Sequence, residues 1–200
     1  MADKSIKAFH QEVQGKIKRL LTEFGEGKIS SEQFNILYAR YSNQLDMARS
    51  VLEGEEERTT PGSNISTIAI RAATTGKALG LAIYHHRSGM IIETLGTFDL
   101  SADIISPTLN EFSDKLDKRE FIEPKTKKLT NGLWVVFMAR RFTTAIVIFR
   151  NEPAPRQVKE LERLQHAFEE ANHHNLDKMD VDKSKLAKPF LNFVRRKLSS

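Results

Sequence analysis

The residues that could do chemistry are few and poorly grouped. Thr75-Gly76-Lys77-Ala78 is the nearest approach to a phosphate-cradling loop. Such a loop needs glycine at position 71 and Ser or Thr at 78, and the chain has Arg71 and Ala78 there. His85 and His86 are neighbours in a β-rich run, where alternation sends them to opposite faces, so they do not share a metal. His166, His173 and His174 fall at i, i+7 and i+8, about two helical turns apart, and no nearby pattern adds a third and fourth ligand. Gly27 could be the sixth position of a calcium loop, but Phe24 would then stand at the third and Gln33 at the twelfth. Phe cannot ligate, and Gln cannot chelate as a bidentate anion. The carboxylate pairs Asp114/Asp117 and Glu169/Glu170 fit solvated helix faces. No serine occupies a glycine-rich elbow between a strand and a helix. Cysteine is absent, which excludes disulfides, a thiol nucleophile and thiolate metal ligands. Trp134 lies in the apolar run Leu133–Met138 and reads as core, not as a base-stacking platform. Arg140 and Arg141 sit at a strand junction, where they read as exposed turn residues able to touch an anionic partner. These residue types assign no catalytic role, no cofactor and no metal.

The tail carries more information about partners. On a helical wheel Leu186, Phe190, Leu191, Phe193, Val194 and Leu198 fill one arc of about 160°. Lys185, Lys188, Arg195 and Arg196 fill the other side, and Lys197 sits near the end, where it can snorkel. Pro189 suits the first turn of such a helix. Two uses are open. The helix can dock on its own sheet, or it can lie on an anionic membrane or in a partner's groove. In the second case Lys185, Lys188, Phe190, Phe193, Arg195, Arg196 and Lys197 are the contact residues. Nucleic-acid phosphates are a third, less favoured target for the six basic residues between Lys183 and Lys197.

The charge is distributed to match. The chain of 200 residues has a formal net charge of +5. Residues 178–200 carry seven basic and two acidic residues, and the rest of the chain is close to balanced. The basic pI therefore belongs to the tail and not to a nucleic-acid-binding face on the main domain. No apolar run reaches the roughly 18 residues of a membrane span; the nearest, Leu133–Phe149, is interrupted by Arg140 and Arg141. Met1-Ala2-Asp3-Lys4 leads into a polar segment and not a signal-peptide core, so the expected location is cytoplasmic.

The elements that position these residues follow from periodicity. Phe9, Val13, Ile17, Leu20, Leu21 and Phe24 form a helical stripe, which stops at Gly25-Glu26-Gly27. Ser30 and Gln33 form a capping box, with Ile29 and Phe34 as its staple. A second stripe runs through Phe34, Leu37, Tyr38, Tyr41, Leu45, Ala48 and Leu52. Residues 6–24 and 31–53 thus read as an antiparallel helical pair. Two helices bury too little surface to stand alone, so the pair should dock, on a second copy or on the main domain. Glu55-Glu56-Glu57 and Pro61-Gly62-Ser63 read as a linker. Ile65, Ile68, Ala69, Ala72 and Ala73 have helical spacing with Gly76 as cap, while the β-branched Thr67, Ile68, Ile70, Thr74 and Thr75 argue for a strand. Strands are expected over Leu79–His86 and Met90–Leu95, joined at Arg87-Ser88-Gly89. A helix capped by Asp99 or Ser101 covers about 102–118, with Pro107 in its first turns. Phe121–Leu129 reads as an edge strand because it contains Pro124. After the turn at Asn131-Gly132, two central strands follow over Leu133–Ala139 and Phe142–Arg150. The last long helix, Glu152–Asn175, buries Val158, Leu161, Leu164, Phe168 and Ala171.

This is an α+β layout: a helical hairpin (1–54), an acidic linker (55–63), a five-stranded antiparallel sheet packed with helices (64–177) and a basic amphipathic tail (178–200). The hairpin turn is similar to that of short helix–turn–helix interaction modules built on G-x-I-[ST]-x-E-[EQ]-F. The run Gly80-Leu81-Ala82-Ile83-Tyr84-His85-His86-Arg87-Ser88-Gly89-Met90-Ile91-Ile92 resembles the opening hairpin of the roadblock/LC7 group, within the wider profilin-like and GAF/PAS-like set. The element order over 64–175 resembles that group too, although His85-His86-Arg87 replaces its usual acidic turn. The resemblance implies a non-enzymatic dimer that scaffolds or regulates small GTPases. The expectation is therefore a cytoplasmic homodimer that binds a protein partner. The rival expectation is a GAF/PAS-like sensor with a small-ligand pocket between sheet and helices.

Overall fold

The computed structural model describes residues 2–58, 76–191 and 193, which divide between two compact units, residues 1–73 and 74–200. The first unit is the helical hairpin. Helix α1 spans Ala2–Gly25 and packs on α2, Ser31–Arg58. The turn between them forms as the local sequence dictates. Gly27 takes φ +72° two residues past the end of α1. The N–H groups of Gly27 and Lys28 donate to the carbonyls of Phe24 and Glu23, both at 2.9 Å. These paired bonds close the helix C-terminus with a left-handed residue, which glycine adopts without strain. Ser30 N–H donates to Gln33 Oε1 at 2.9 Å, and Gln33 N–H donates to Ser30 Oγ at 3.2 Å, so the capping box is reciprocal. Phe34 stacks between Phe24 and Tyr38, at centroid distances of 5.0 and 5.4 Å. Val13, Leu20, Leu21, Phe34, Tyr38 and Ala48 are buried, whereas Phe9, at the head of the expected stripe, is 40% exposed. Helix α2 runs on to Arg58, through the three glutamates read as linker.

The second unit is one antiparallel sheet with helices on both faces. Its strands are β1 (Ala78–His85), β2 (Ile91–Gly96), β3 (Lys125–Lys128), β4 (Trp134–Ala139) and β5 (Thr143–Phe149), in the order β2-β1-β5-β4-β3. Helix α3 spans Ala102–Asp117 and α4 spans Pro155–Leu176. Alternation along the central strands sorts the core. Val136, Met138, Ala145, Val147 and Phe149 pack with Leu161, Phe168 and Leu176 of α4. Val135, Phe137 and Ile146 face the other way, toward Ile105 and Phe112 of α3. Every residue of β5 is buried, as its doubly apolar sequence requires. Gly80 of β1 lies so close to the chain leaving β2 that a Cβ on it would stand 2.0 Å from the Thr97 carbonyl oxygen.

Two expectations need correction. The third strand is only Lys125–Lys128; Phe121–Pro124 and Leu129, expected as part of it, lie outside the ladder. Ser101 is the N-cap of α3 but its hydroxyl makes no capping bond. The segment 65–75, read as a helix or strand, lies outside the described residues apart from its proposed cap, Gly76.

The tail returns to the sheet. After a short 3₁₀ turn at Lys183–Lys185, Leu186, Ala187, Phe190 and Phe193 are all buried, at 2% exposure or less. Leu186, Phe190 and Phe193 join the cluster on the α4 face, with the Phe190 ring 6.0 Å from that of Phe168. Of the two uses open to the tail, the structure shows docking on its own domain over Leu186–Phe193.

Candidate functional site

The densest polar construction in the second unit surrounds the turn between β4 and β5. Arg140 N–H donates to the Thr143 carbonyl at 2.9 Å, closing a tight turn over Arg141 and Phe142. Two successive N–H groups, of Phe142 and Thr143, then point at Glu169 Oε1, at 3.0 and 2.8 Å, and the Thr143 hydroxyl donates to the same oxygen at 2.8 Å. Consecutive N–H groups make an anion-binding nest, and here the α4 carboxylate fills it. Gln165, one helical turn earlier, donates through Nε2 to the carbonyls of Met138 and Thr143, at 2.9 and 3.0 Å. From the opposite face of the sheet, His86 Nε2 lies 2.9 Å from Thr144 Oγ1 and His86 Nδ1 lies 3.4 Å from the Arg141 carbonyl. A carbonyl only accepts, so Nδ1 carries the proton and Nε2 accepts from the threonine hydroxyl.

The electrostatics follow from burial. Burial pushes the His86 imidazole down to about 4, against the pull of the Arg141 carbonyl, and the neighbouring His85 pushes the same way. Burial raises the Glu169 carboxyl above its ordinary value, opposed by its bonds from Thr143 and Phe142 and by the charge of Arg140. The turn is thus clamped from both faces of the sheet, and it presents Arg140 and Arg141 to solvent. Arg140 donates to His166 Nδ1 at 3.2 Å, and the Arg141 guanidinium lies 4.9 Å from the centroid of the Phe142 ring. Neither arginine has a carboxylate within 4.0 Å among the described residues.

Two clefts flank the turn. The larger, about 560 Å³, runs along the second half of α4 and is bordered by His166, Glu170, His173 and His174. Two of its acids are engaged: Glu169 by the turn and Asp177 by Arg87 at 3.4 Å. The His173 and His174 rings lie 3.7 Å apart, centroid to centroid, and no three metal-ligating groups converge among the described residues. The smaller cleft, about 270 Å³, lies on the other side, between the end of β4 and the chain leaving α3.

The arrangement presents two guanidinium groups to solvent on a fixed turn. Thr143 beside Glu169 has the form of a hydroxyl–base pair, yet Thr143 is fully buried, so no substrate reaches it. The incomplete phosphate loop is also spoken for: Gly76 donates to Gln157 Oε1 at 3.0 Å and accepts from Gln157 Nε2 at 2.7 Å. His85 is fully buried and structural, with Nε2 2.8 Å from the Leu176 carbonyl and Nδ1 3.0 Å from Ser88 Oγ. His85 and His86 diverge, as strand alternation requires.

The structure places the tail residues singled out from the sequence as follows. Lys185 is exposed and pairs with Asp182 at 3.0 Å. Lys188 pairs with Glu93 of β2 at 2.7 Å. Phe190 and Phe193 are core residues, so in this conformation neither is available to a membrane or a partner. Arg195, Arg196 and Lys197 lie outside the described residues. No cationic contact face forms from the described members of this group.

Sequence reasoning missed the clamp. Glu169, read as part of a solvated face, is 6% exposed. Gln157, Gln165, Glu169 and Asn172 all lie on the buried side of α4, within an arc of about 120° that overlaps Leu161 and Phe168. Four polar residues inside an apolar stripe were the available signal. Each bonds backbone outside its own helix: Gln157 at Gly76, Gln165 at Met138 and Thr143, Glu169 at Phe142 and Thr143, and Asn172 at Ala187. No family model matches this chain, and neither a curated protein nor a solved structure does.

Proposed function

We propose that this chain is a non-catalytic scaffold or regulatory binding protein that works as a homodimer and takes a protein partner, with a small GTPase or its signalling complex as the leading class. The observation that carries the reading is the filled interior. On the α4 side the space a sensor would keep for its ligand holds Phe149, Leu161, Phe168 and Phe190, all under 2% exposed. Both clefts lie at the end of the sheet, outside these packed faces. The observed order of strands and helices after residue 76 agrees with the resemblance to the roadblock/LC7 group. That agreement supports a fold analogy, and fold alone is a weak warrant for function.

The test separates scaffold from sensor. A ligand at a hundred times its Kd adds about 2.7 kcal/mol to stability, which raises Tm by several degrees in a domain of this size. A panel of nucleotides, amino acids and other small metabolites should give no such shift. Light scattering should give twice 22.8 kDa at micromolar concentration. A saturable shift with one metabolite would overturn the scaffold in favour of the sensor, and a mass of one chain would remove the dimer.

A further inference from the structure

The described residues leave one edge of the sheet open. Strand β3 pairs with β4 only from Lys128↔Trp134 to Lys125↔Phe137, whereas β4 continues beside β5 to Ala139↔Thr144. The bond from Arg140 N–H to the Thr143 carbonyl fixes the alternation. Residues 138 and 140 turn their backbone groups toward β5, so Ala139 turns its N–H and C=O outward. Neither group of Ala139 has a hydrogen-bond partner among the described residues. In the β3 register Glu123 would stand opposite Ala139, but β3 begins only at Lys125, so the ladder stops short of this edge.

The other edges are guarded. On β2, Lys183 Nζ donates to the Ile91 carbonyl at 2.9 Å, and Lys188 pairs with Glu93. On β3, three of the four residues are lysines. Charged edges of this kind deter strand addition. The end of β4 carries attractive features instead. The 270 Å³ cleft beside it is lined by Leu116, Ile122 and Met138, and Phe121 stands at its rim, 84% exposed. That volume falls below the roughly 300–1,000 Å³ typical of small-molecule pockets and suits one apolar side chain. At the end of the strand, the clamped turn holds two guanidinium groups that no carboxylate pairs with among the described residues.

We propose that the open end of β4 binds an extended peptide segment of a partner protein, which adds as a short strand at Ala139, seats one apolar side chain in the cleft beside Phe121 and places an acidic side chain on Arg140 and Arg141. Alternate residues of a strand share a face, so the apolar and acidic residues stand two apart. Main-chain bonds supply affinity in this mode and the alternate side chains supply specificity. Glu120 and Glu162 also border the cleft, so an acid accepted at the arginines is rejected at other positions of the peptide. The proposal rests on the binding-protein reading and names the chemistry of the partner.

The probe is a displayed library of random twelve-residue peptides selected on the full chain. Binders should share an apolar residue with Asp or Glu two positions away. On titration of ¹⁵N-labelled protein with a selected synthetic peptide, amide shifts should concentrate in residues 121–125 and 138–142. The double reversal Arg140→Glu, Arg141→Glu should keep a cooperative unfolding transition, although it removes the Arg140 charge that favours the Glu169 carboxylate, and should weaken the peptide at least tenfold. A peptide with Lys in place of the acid should recover the loss on that variant. A library without binders, shifts that map elsewhere, or equal affinity for the double variant would each overturn the site. None of these would touch the scaffold reading, which the metabolite panel and light scattering test separately.

Discussion

Asn172 and Asn175 offer an experiment in which one geometry meets two environments. Asn172 Nδ2 donates to the Ala187 carbonyl at 3.0 Å, and Ala187 N–H donates to Asn172 Oδ1 at 2.8 Å. Asn175 makes the same pair of bonds with Asp182, at 2.8 and 3.0 Å. Ala187 is fully buried, while Asp182 is exposed. In Asn172→Ala the N–H and C=O of Ala187 lose their partner where water does not replace it. Each buried unpaired group costs about 1–3 kcal/mol, so the substitution should cost about 2–6 kcal/mol. The tail cannot escape this cost by undocking. Exposing Leu186, Phe190 and Phe193 would give up about 1.5–3 kcal/mol for each side chain, which is at least as much. In Asn175→Ala water takes over both bonds, and the loss should stay below about 1 kcal/mol. Urea unfolding followed by circular dichroism and by the fluorescence of Trp134, the single tryptophan, measures both variants. Trp134 packs against the cluster that contains the tail, so it reports on this face. Equal losses in the two variants would refute the desolvation argument, and so would a loss below about 0.5 kcal/mol in Asn172→Ala.

Three further outcomes are expected. His86 has its folded pKa depressed to about 4 from an ordinary 6.5, so the fold favours neutral imidazole; its contribution is complete above pH 6.5 and is lost as pH falls through that value toward 4. The loss should reach about 2 kcal/mol by pH 5 and about 3 at most; Glu169, raised by burial, offsets part of it because protonation relieves its cost. Comparing the Tm of the natural chain and of His86→Gln from pH 7.5 to 4.5 isolates the histidine, and parallel pH profiles would refute it. Arg119 takes φ +57° just past the end of α3, where Glu120 N–H donates to the Lys115 carbonyl at 2.9 Å; Arg119→Gly should therefore stabilise by about 0.5–1 kcal/mol in chemical denaturation, despite the greater freedom of the unfolded chain. Gly80→Ala should cost more than about 3 kcal/mol or abolish soluble expression, since its Cβ would overlap the Thr97 backbone; a variant with natural-chain Tm would show that the β1–β2 exit can shift.

Local chemistry made most of the fold legible in the sequence. The turn at Gly27–Gln33 contains its own cap and staple, and its observed bonds are those the spacing implies. β5 reads as central because no polar face interrupts it. The candidate site was not legible, because its parts come from four separate segments. Arg140 and Arg141 stood out, but their support comes from His86, Gln165 and Glu169, up to 83 residues apart in the chain. A glutamate on a helix is exposed by default, and only the position of two turn N–H groups makes its burial favourable. The tail was ambiguous for a related reason. An amphipathic helix shows which of its faces is apolar but not which surface covers it.

The place of β1 in the sheet also bears on the order in which the domain folds. β1 pairs with β2 nearby in the chain but with β5 across residues 86–142. The hairpins β1–β2 and β4–β5 can form on microsecond timescales, since each closes a short loop. Joining them requires closing the long excursion that contains α3 and β3, and that search sets the overall rate. The rate-limiting step should then be the meeting of Leu81 and Ile83 with Val147 and Ala145, which face each other across the seam. Truncating these side chains should slow folding, whereas loosening the tail at Phe190 should mainly speed unfolding.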